Sequence, residues 1–175
     1  YVMPVRRELE VRTVLNLIGP FTNPVNLDTQ LLGTSRRDLL TTTAEVLKSL
    51  GRRRALVISG PNNMDEASLD GVNQYALLDE NGEITVHEFD HESLGMPRVT
   101  LQEIRGGEGK ENAAILKSVL KNEASPFLEV SVLNAGLGFF AAGVSETIAA
   151  GIAKAREVIA SGQALAKLVE MQELK

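Results

Sequence analysis

Apolar residues in this chain come in two patterns, short unbroken runs and stripes at helical spacing. Thr29-Gln30-Leu31-Leu32-Gly33 is a short apolar strand candidate, and Ala55-Leu56-Val57-Ile58-Ser59 is a continuous apolar run of the kind buried on both faces of a parallel sheet. Between them, Leu39, Leu40, Thr43, Val46, Leu47 and Leu50 fall on one side of a helix running to about Leu50. Ser35-Arg36-Arg37-Asp38 reads as a capping-box-like start, and Gly51 is placed to stop the helix. Thr41, Thr42 and Thr43 lower its intrinsic propensity, so packing must hold it. Strand, helix, strand over this length predicts a right-handed βαβ unit.

Val72 to Leu78 and Ile84 to Phe89 are rich in β-formers and flank Asn81-Gly82, which predicts an antiparallel hairpin at the sheet edge. The remainder reads as helical. A helix over about Lys110 to Lys121 is expected to bury Ala113, Leu116, Val119 and Leu120. Ser125-Pro126 opens the next, with Val130, Leu133, Leu137 and Phe140 on its apolar face. Gly136 and Gly138 inside it each cost roughly 1 kcal/mol relative to alanine, a cost that close packing against a neighbour should offset. Ser145-Glu146 is expected to cap a helix that Gly162 ends, and a last amphipathic helix carries Leu165, Leu168, Val169 and Met171. The fold class that follows is α/β, a mixed sheet covered by helices. The chain opens on Tyr1 in what reads as the end of a helix, with Val2, Val5 and Leu9 at helical spacing, and is expected to be a fragment.

Composition narrows the function. The 175 residues are 43% hydrophobic and only 4% aromatic, so the core must be aliphatic. With no cysteine, thiolate metal sites and nucleophiles are excluded, and a cytoplasmic setting is expected. The net charge of −5 argues against a nucleic-acid-binding face, and no apolar run approaches membrane-spanning length.

Three stretches carry candidate chemistry. In Val11 to Pro24 an apolar run ends in two X-Pro breaks, Gly19-Pro20 and Asn23-Pro24, which hold the backbone extended and turning. Such a loop is either a rigid connector or one wall of a ligand site. Gly60 to Ser68 leaves the carboxyl end of a strand, where ligands gather in open α/β sheets. It holds Asp65 and Glu66 with no lysine or arginine among them, and such a pair suits Mg²⁺ shared with substrate phosphates, or else a solvated surface turn. Arg6 and Arg7 either face solvent or offer a guanidinium fork to a carboxylate. His87 and His91 lack a third ligand and are expected to face solvent. Gly106-Gly107-Glu108-Gly109-Lys110-Glu111 lacks the earlier glycine of a phosphate loop and has Glu111 where a serine or threonine should stand.

The chain resembles the C-terminal part of the anthranilate phosphoribosyltransferase family. The likeness rests on Met3-Pro4-Val5-Arg6-Arg7-Glu8-Leu9, on Arg12-Thr13-Val14-Leu15-Asn16-Leu17-Ile18-Gly19-Pro20-Phe21-Thr22-Asn23-Pro24, and on Gln30 to Gly33. It continues through Met64-Asp65-Glu66-Ala67-Ser68, Arg105-Gly106-Gly107 and Leu133-Asn134-Ala135, while Glu10 departs from the pattern. The resemblance implies a nucleoside-phosphorylase-like transferase fold, and transfer of the phosphoribosyl group of phosphoribosyl pyrophosphate to anthranilate in tryptophan biosynthesis. It implies that Arg6 binds the anthranilate carboxylate, that Gly19 and Pro20 line the anthranilate channel, and that Asp65 and Glu66 hold Mg²⁺. The family's helical domain, its glycine-rich pyrophosphate loop and its K-H-G-N-R segment have no counterpart in this sequence. The complete enzyme is implied to be a homodimer, and the piece alone to be inactive. A nucleic-acid-binding branch of the superfamily, or an inactive structural subdomain, are the alternatives.

Overall fold

The computed structural model describes residues 18–174. The helix end expected over Tyr1 to Leu9, and the apolar run before Gly19, lie outside the described residues. Four strands, β1 (Thr29–Gly33), β2 (Arg54–Ser59), β3 (Asn73–Leu78) and β4 (Ile84–Phe89), form one sheet in the order β1-β2-β3-β4. β1 runs parallel to β2, with Leu31 opposite Leu56 and Gly33 opposite Ile58. β2 to β3 and β3 to β4 are antiparallel, so the sheet is mixed. Helix α1 (Leu40–Ser49) connects β1 to β2, and α2 (Gly109–Leu120), α3 (Pro126–Ala141), α4 (Ile148–Ala160) and α5 (Gln163–Glu173) follow the hairpin.

Alternation along the strands separates two cores. Ala55, Val57, Ala76 and Leu78 point toward α1 and pack with Leu40, Ala44 and Leu47. Leu56, Ile58, Tyr75 and Phe89 point the other way, onto Leu133 and Leu137 of α3 and Ile152 of α4. The predicted βαβ unit and hairpin are both present. Asp79 shapes the hairpin turn by accepting from the Asn81 and Glu83 amides at 2.9 and 2.8 Å, and those bonds hold its carboxyl below the usual carboxylate range, the Glu83 one most strongly.

Helix ends differ in places from the expectation. Gly51 at φ +81° closes α1 with paired bonds from its own amide to Lys48 and from Arg52 to Leu47, a Schellman motif. Ser35 does not cap α1. A 3-10 turn over Arg37–Leu39 leads into the helix, Asp38 is taken by Arg36 at 2.8 and 2.5 Å, and no side chain caps the helix. Ser125 does cap α3, accepting from the Leu128 amide at 3.2 Å. Thr147, rather than Ser145, caps α4, accepting from the Ala150 amide at 3.1 Å.

Burial also departs from the periodic reading. In α2 only Val119 is buried, while Ala113 and Leu116 are exposed, because that helix packs at its C-terminal end alone. Val169 and Met171 of α5 are exposed, with Leu165 and Leu168 half-buried. Helix α3 is buried nearly all round, so its core residues extend beyond one stripe to Leu128, Val132 and Ala141. Gly136 meets Ile152 of α4 closely, but among the described residues Gly138 has open space beside it and no neighbour to offset its cost. His87 is exposed and stacks on Tyr75 at 5.2 Å, and His91 is half-buried rather than fully solvent-facing.

Candidate active site

The parallel pair β1 and β2 places two loops side by side at their carboxyl ends, the position where α/β sheets bind ligands. Beyond β1 the Thr34 amide extends the ladder to the Ile58 carbonyl at 2.9 Å. Beyond β2, Pro61–Asn63 forms a 3-10 turn with Asn62 and Asn63 at φ +56° and +60°, a region asparagine tolerates better than most residues. The Gly60 amide closes that loop onto the Met64 carbonyl at 2.9 Å. Arg37 ties the loop's two ends, donating to the Gly60 carbonyl at 3.2 Å and to the Val72 carbonyl at 2.5 Å.

Asp65 and Glu66 follow directly, and both are exposed. Neither forms a hydrogen bond or ion pair through its carboxylate among the described residues. Their backbone, by contrast, is tightly placed. A Cβ on Gly33 would coincide with the Asp65 carbonyl group, so only glycine lets β1 approach this loop. Immediately after the pair, Asn134 of α3 accepts from the Ala67 amide at 3.1 Å and donates to the Ala67 carbonyl at 2.9 Å. Asn73 does the same for Ser68, with both bonds at 2.8 Å.

On the other side, Gly19–Phe21 forms a 3-10 turn with Pro20 inside it, and Gly19 and Pro20 are both exposed. The two-proline loop therefore turns here rather than running extended. Gln30 of β1 holds this turn, donating to the Pro20 carbonyl at 3.0 Å and accepting from Arg52 Nε at 3.1 Å. Arg52 is buried with no carboxylate beside it among the described residues, and its second bond goes to the Leu50 carbonyl at 3.3 Å. A cleft of about 400 Å³ opens between the turn and the acidic loop. Its walls include Pro20, Phe21, Gly33, Thr34, Thr43 and Asp65.

The structure thus brings Pro20 and Asp65 to one cleft, with Glu66 next to Asp65. Arg6 lies outside the described residues. Gln30, Arg52, Arg37, Asn73 and Asn134 were missed as supports, because long-range bonds from side chain to backbone leave no trace in spacing. Asn134 alone gave a signal, since a polar residue inside an otherwise apolar helix needs a partner. Gly107 is no open anion cradle, because Asn112 occupies both its amide and its carbonyl at 2.9 Å.

Two free carboxylates suit a hard cation with oxygen ligands, and no cluster of three or more acidic, histidine or cysteine side chains stands among the described residues. Such a pair leaves most of the coordination sphere to water and phosphate oxygens, which is how Mg²⁺ is usually held.

A family model described as "Glycosyl transferase family, a/b domain" matches residues 1–165. The chain belongs to that family. It is 59% identical over 173 residues to an anthranilate phosphoribosyltransferase of Streptococcus gordonii, an alignment covering 99% of this chain and 52% of the relative. The crystal structure of anthranilate phosphoribosyltransferase from Thermus thermophilus superposes with a TM-score of 0.84 at 39% identity, covering 95% of this chain and 49% of that one. The Saccharomyces cerevisiae enzyme in complex with PRPP and Mg superposes with a TM-score of 0.86 at 26% identity, covering 95% of this chain and 48% of that one. The chain spans about half the length of the curated relatives it matches. No helix among the described residues is long and apolar enough to cross a membrane.

Proposed function

We propose that this chain supplies the metal-binding side and the anthranilate-facing wall of a transferase. The reaction moves the phosphoribosyl group of phosphoribosyl pyrophosphate to anthranilate and releases pyrophosphate. The observation that carries this reading is the convergence of the Pro20 turn and Asp65 on one cleft at the ends of two parallel strands, with the exposed Glu66 next in sequence to Asp65. The S. gordonii relative is an anthranilate phosphoribosyltransferase and the yeast complex holds PRPP and Mg, and together they supply the substrate class.

In this reading the amine nitrogen of anthranilate attacks the anomeric carbon of the ribose. The carbon–oxygen bond to pyrophosphate breaks, its electron pair leaves with the pyrophosphate, and the amine's proton passes to solvent. Asp65 and Glu66 would hold Mg²⁺. When bound, the ion stabilises the negative charge gathering on that leaving group. Gly19 and Pro20 form one wall of the approach for the flat aromatic acceptor. Gln30 keeps that wall in place through the Pro20 carbonyl. Arg6 grips the anthranilate carboxylate and orients the nucleophile, a positioning effect. The chain spans about half the length of the relatives it matches, and the 175 residues alone are expected to form no product.

Reconstitution tests this. The chain is joined to the half of the S. gordonii relative that it does not cover, and phosphoribosyl-anthranilate is followed with both substrates and Mg²⁺ present. The fusion should form product and the 175 residues alone should not. Product from the chain alone, or none from a folded fusion, overturns the reading.

A further inference from the structure

The Asp65-Glu66 pair is itself exposed, yet its backbone is gripped from two sides, by β1 at Gly33 and by α3 at Asn134. We propose that Asn134 is a positioning residue for the metal site, fixing the acidic pair through a two-point hold on Ala67. The inference rests on the metal role proposed for Asp65 and Glu66.

Asn134 touches neither carboxylate. Its Oδ1 accepts from the Ala67 amide at 3.1 Å, and its Nδ2 donates to the Ala67 carbonyl at 2.9 Å and to the Val130 carbonyl one turn back at 3.1 Å. Both donor hydrogens and the acceptor are therefore used. The third bond pins the carboxamide to its own helix and orients the other two. Holding both polar groups of Ala67 fixes the peptide plane that joins it to Glu66, and so fixes where the Glu66 side chain starts. Ala67 is fully buried, so water cannot replace these bonds without opening the loop.

The hold reaches the loop from a helix packed on the sheet's far face, and that helix is itself located by the contact of Gly136 with Gly151 and Ile152. Asn73 makes a similar pair of bonds to Ser68, but from the strand that follows the same loop and from full burial. Its place is local folding. Asn134 ties the loop to a separate layer, which is what a site whose two acids must hold one geometry requires. In metal sites the partners that orient ligands typically matter about 10–100-fold in affinity or activity.

The test uses the chain fused to the complementary half of the S. gordonii relative. Mn²⁺ stands in for Mg²⁺, phosphoribosyl pyrophosphate is present, and free Mn²⁺ is read by electron paramagnetic resonance. Asn134→Ala removes all three bonds. Asn134→Ser keeps a hydroxyl able to bond the Val130 carbonyl but too short to reach Ala67, so it spares the helix and releases the loop. Asn134→Ser should weaken Mn²⁺ binding about tenfold and speed hydrogen exchange across residues 64–68, while melting cooperatively, below the parent because the Ala67 groups lose their partners but well above the assay temperature. Asn134→Ala placed on Asp65→Asn with Glu66→Gln should weaken Mn²⁺ no further. Parent-like Mn²⁺ affinity in Asn134→Ser, when the acidic double variant has lost it, overturns the positioning role and leaves the metal reading intact. Parent-like affinity in the acidic double variant overturns both.

Discussion

The two glycines inside α3 make opposite predictions, and the contrast can be worked from their surroundings. Replacing either by alanine gains about 1 kcal/mol of helix propensity, since glycine is the costlier residue in a helix interior. At Gly138 nothing among the described residues lies within 4 Å of the added Cβ, so Gly138→Ala should keep that gain. At Gly136 the Cβ would stand 2.7 Å from Ile152 N, 2.8 Å from its Cα and 2.8 Å from its Cγ1. Carbon atoms at rest sit about 3.5–4.0 Å apart, and two of the three neighbours are backbone, so α4 as a whole must yield. Overpacking of that kind costs roughly 1–3 kcal/mol. The propensity term cancels between the variants, so the gap between them is the overpacking cost alone. For a domain of this size a gap of about 2 kcal/mol separates melting temperatures by roughly 4–8 °C. Urea unfolding with unchanged m-values measures it. If Gly136→Ala proves as stable as Gly138→Ala, the two helices do not cross where the structure places them.

Two further predictions concern the Pro20 turn and the β3–β4 hairpin turn. Gln30→Ala releases the Pro20 turn and strips a bond from the buried Arg52 guanidinium, so stability should fall by about 1.5–3 kcal/mol in denaturant unfolding, and no measurable loss would contradict the Arg52–Gln30–Pro20 chain. Asp79 has its carboxyl lowered by hydrogen bonds from the hairpin turn, above all from Glu83, so its contribution is fully present above the ordinary aspartate value of about 3.9 and is lost as pH falls through the folded value. Melting temperature measured from about pH 6 down to about pH 3 should therefore drop less in Asp79→Asn than in the parent, and parallel curves would remove the hairpin from the acid response.

Most of the architecture was legible because it rests on local rules. The unbroken run Ala55 to Ser59 is buried on both faces as its pattern requires, and the hairpin turns at Asn81-Gly82 with Gly82 alone in the left-handed region, at φ +80°. The βαβ unit follows from spacing alone. The misreadings of burial share one cause, since periodicity shows that a helix has an apolar face without showing what covers it. Leu116 and Met171 fit a buried stripe and stand exposed. Capping at Ser35 failed because Arg36 claims Asp38 and a 3-10 turn takes the helix start. The candidate site was legible in part. Asp65 and Glu66 announced themselves as adjacent acids past a parallel strand. The bonds that position them come from Asn134, 67 residues downstream of Ala67, and no local pattern carries a contact of that separation.

The Mg²⁺ dependence of turnover in the fused transferase bears most directly on the role given to the acidic loop. With Asp65→Asn and Glu66→Gln together, the concentration of Mg²⁺ at half-maximal rate should rise by about tenfold or more, because the pair would no longer supply anionic oxygen ligands. A titration that superimposes on the parent's would show that Asp65 and Glu66 are a solvated surface turn and that the metal is held elsewhere.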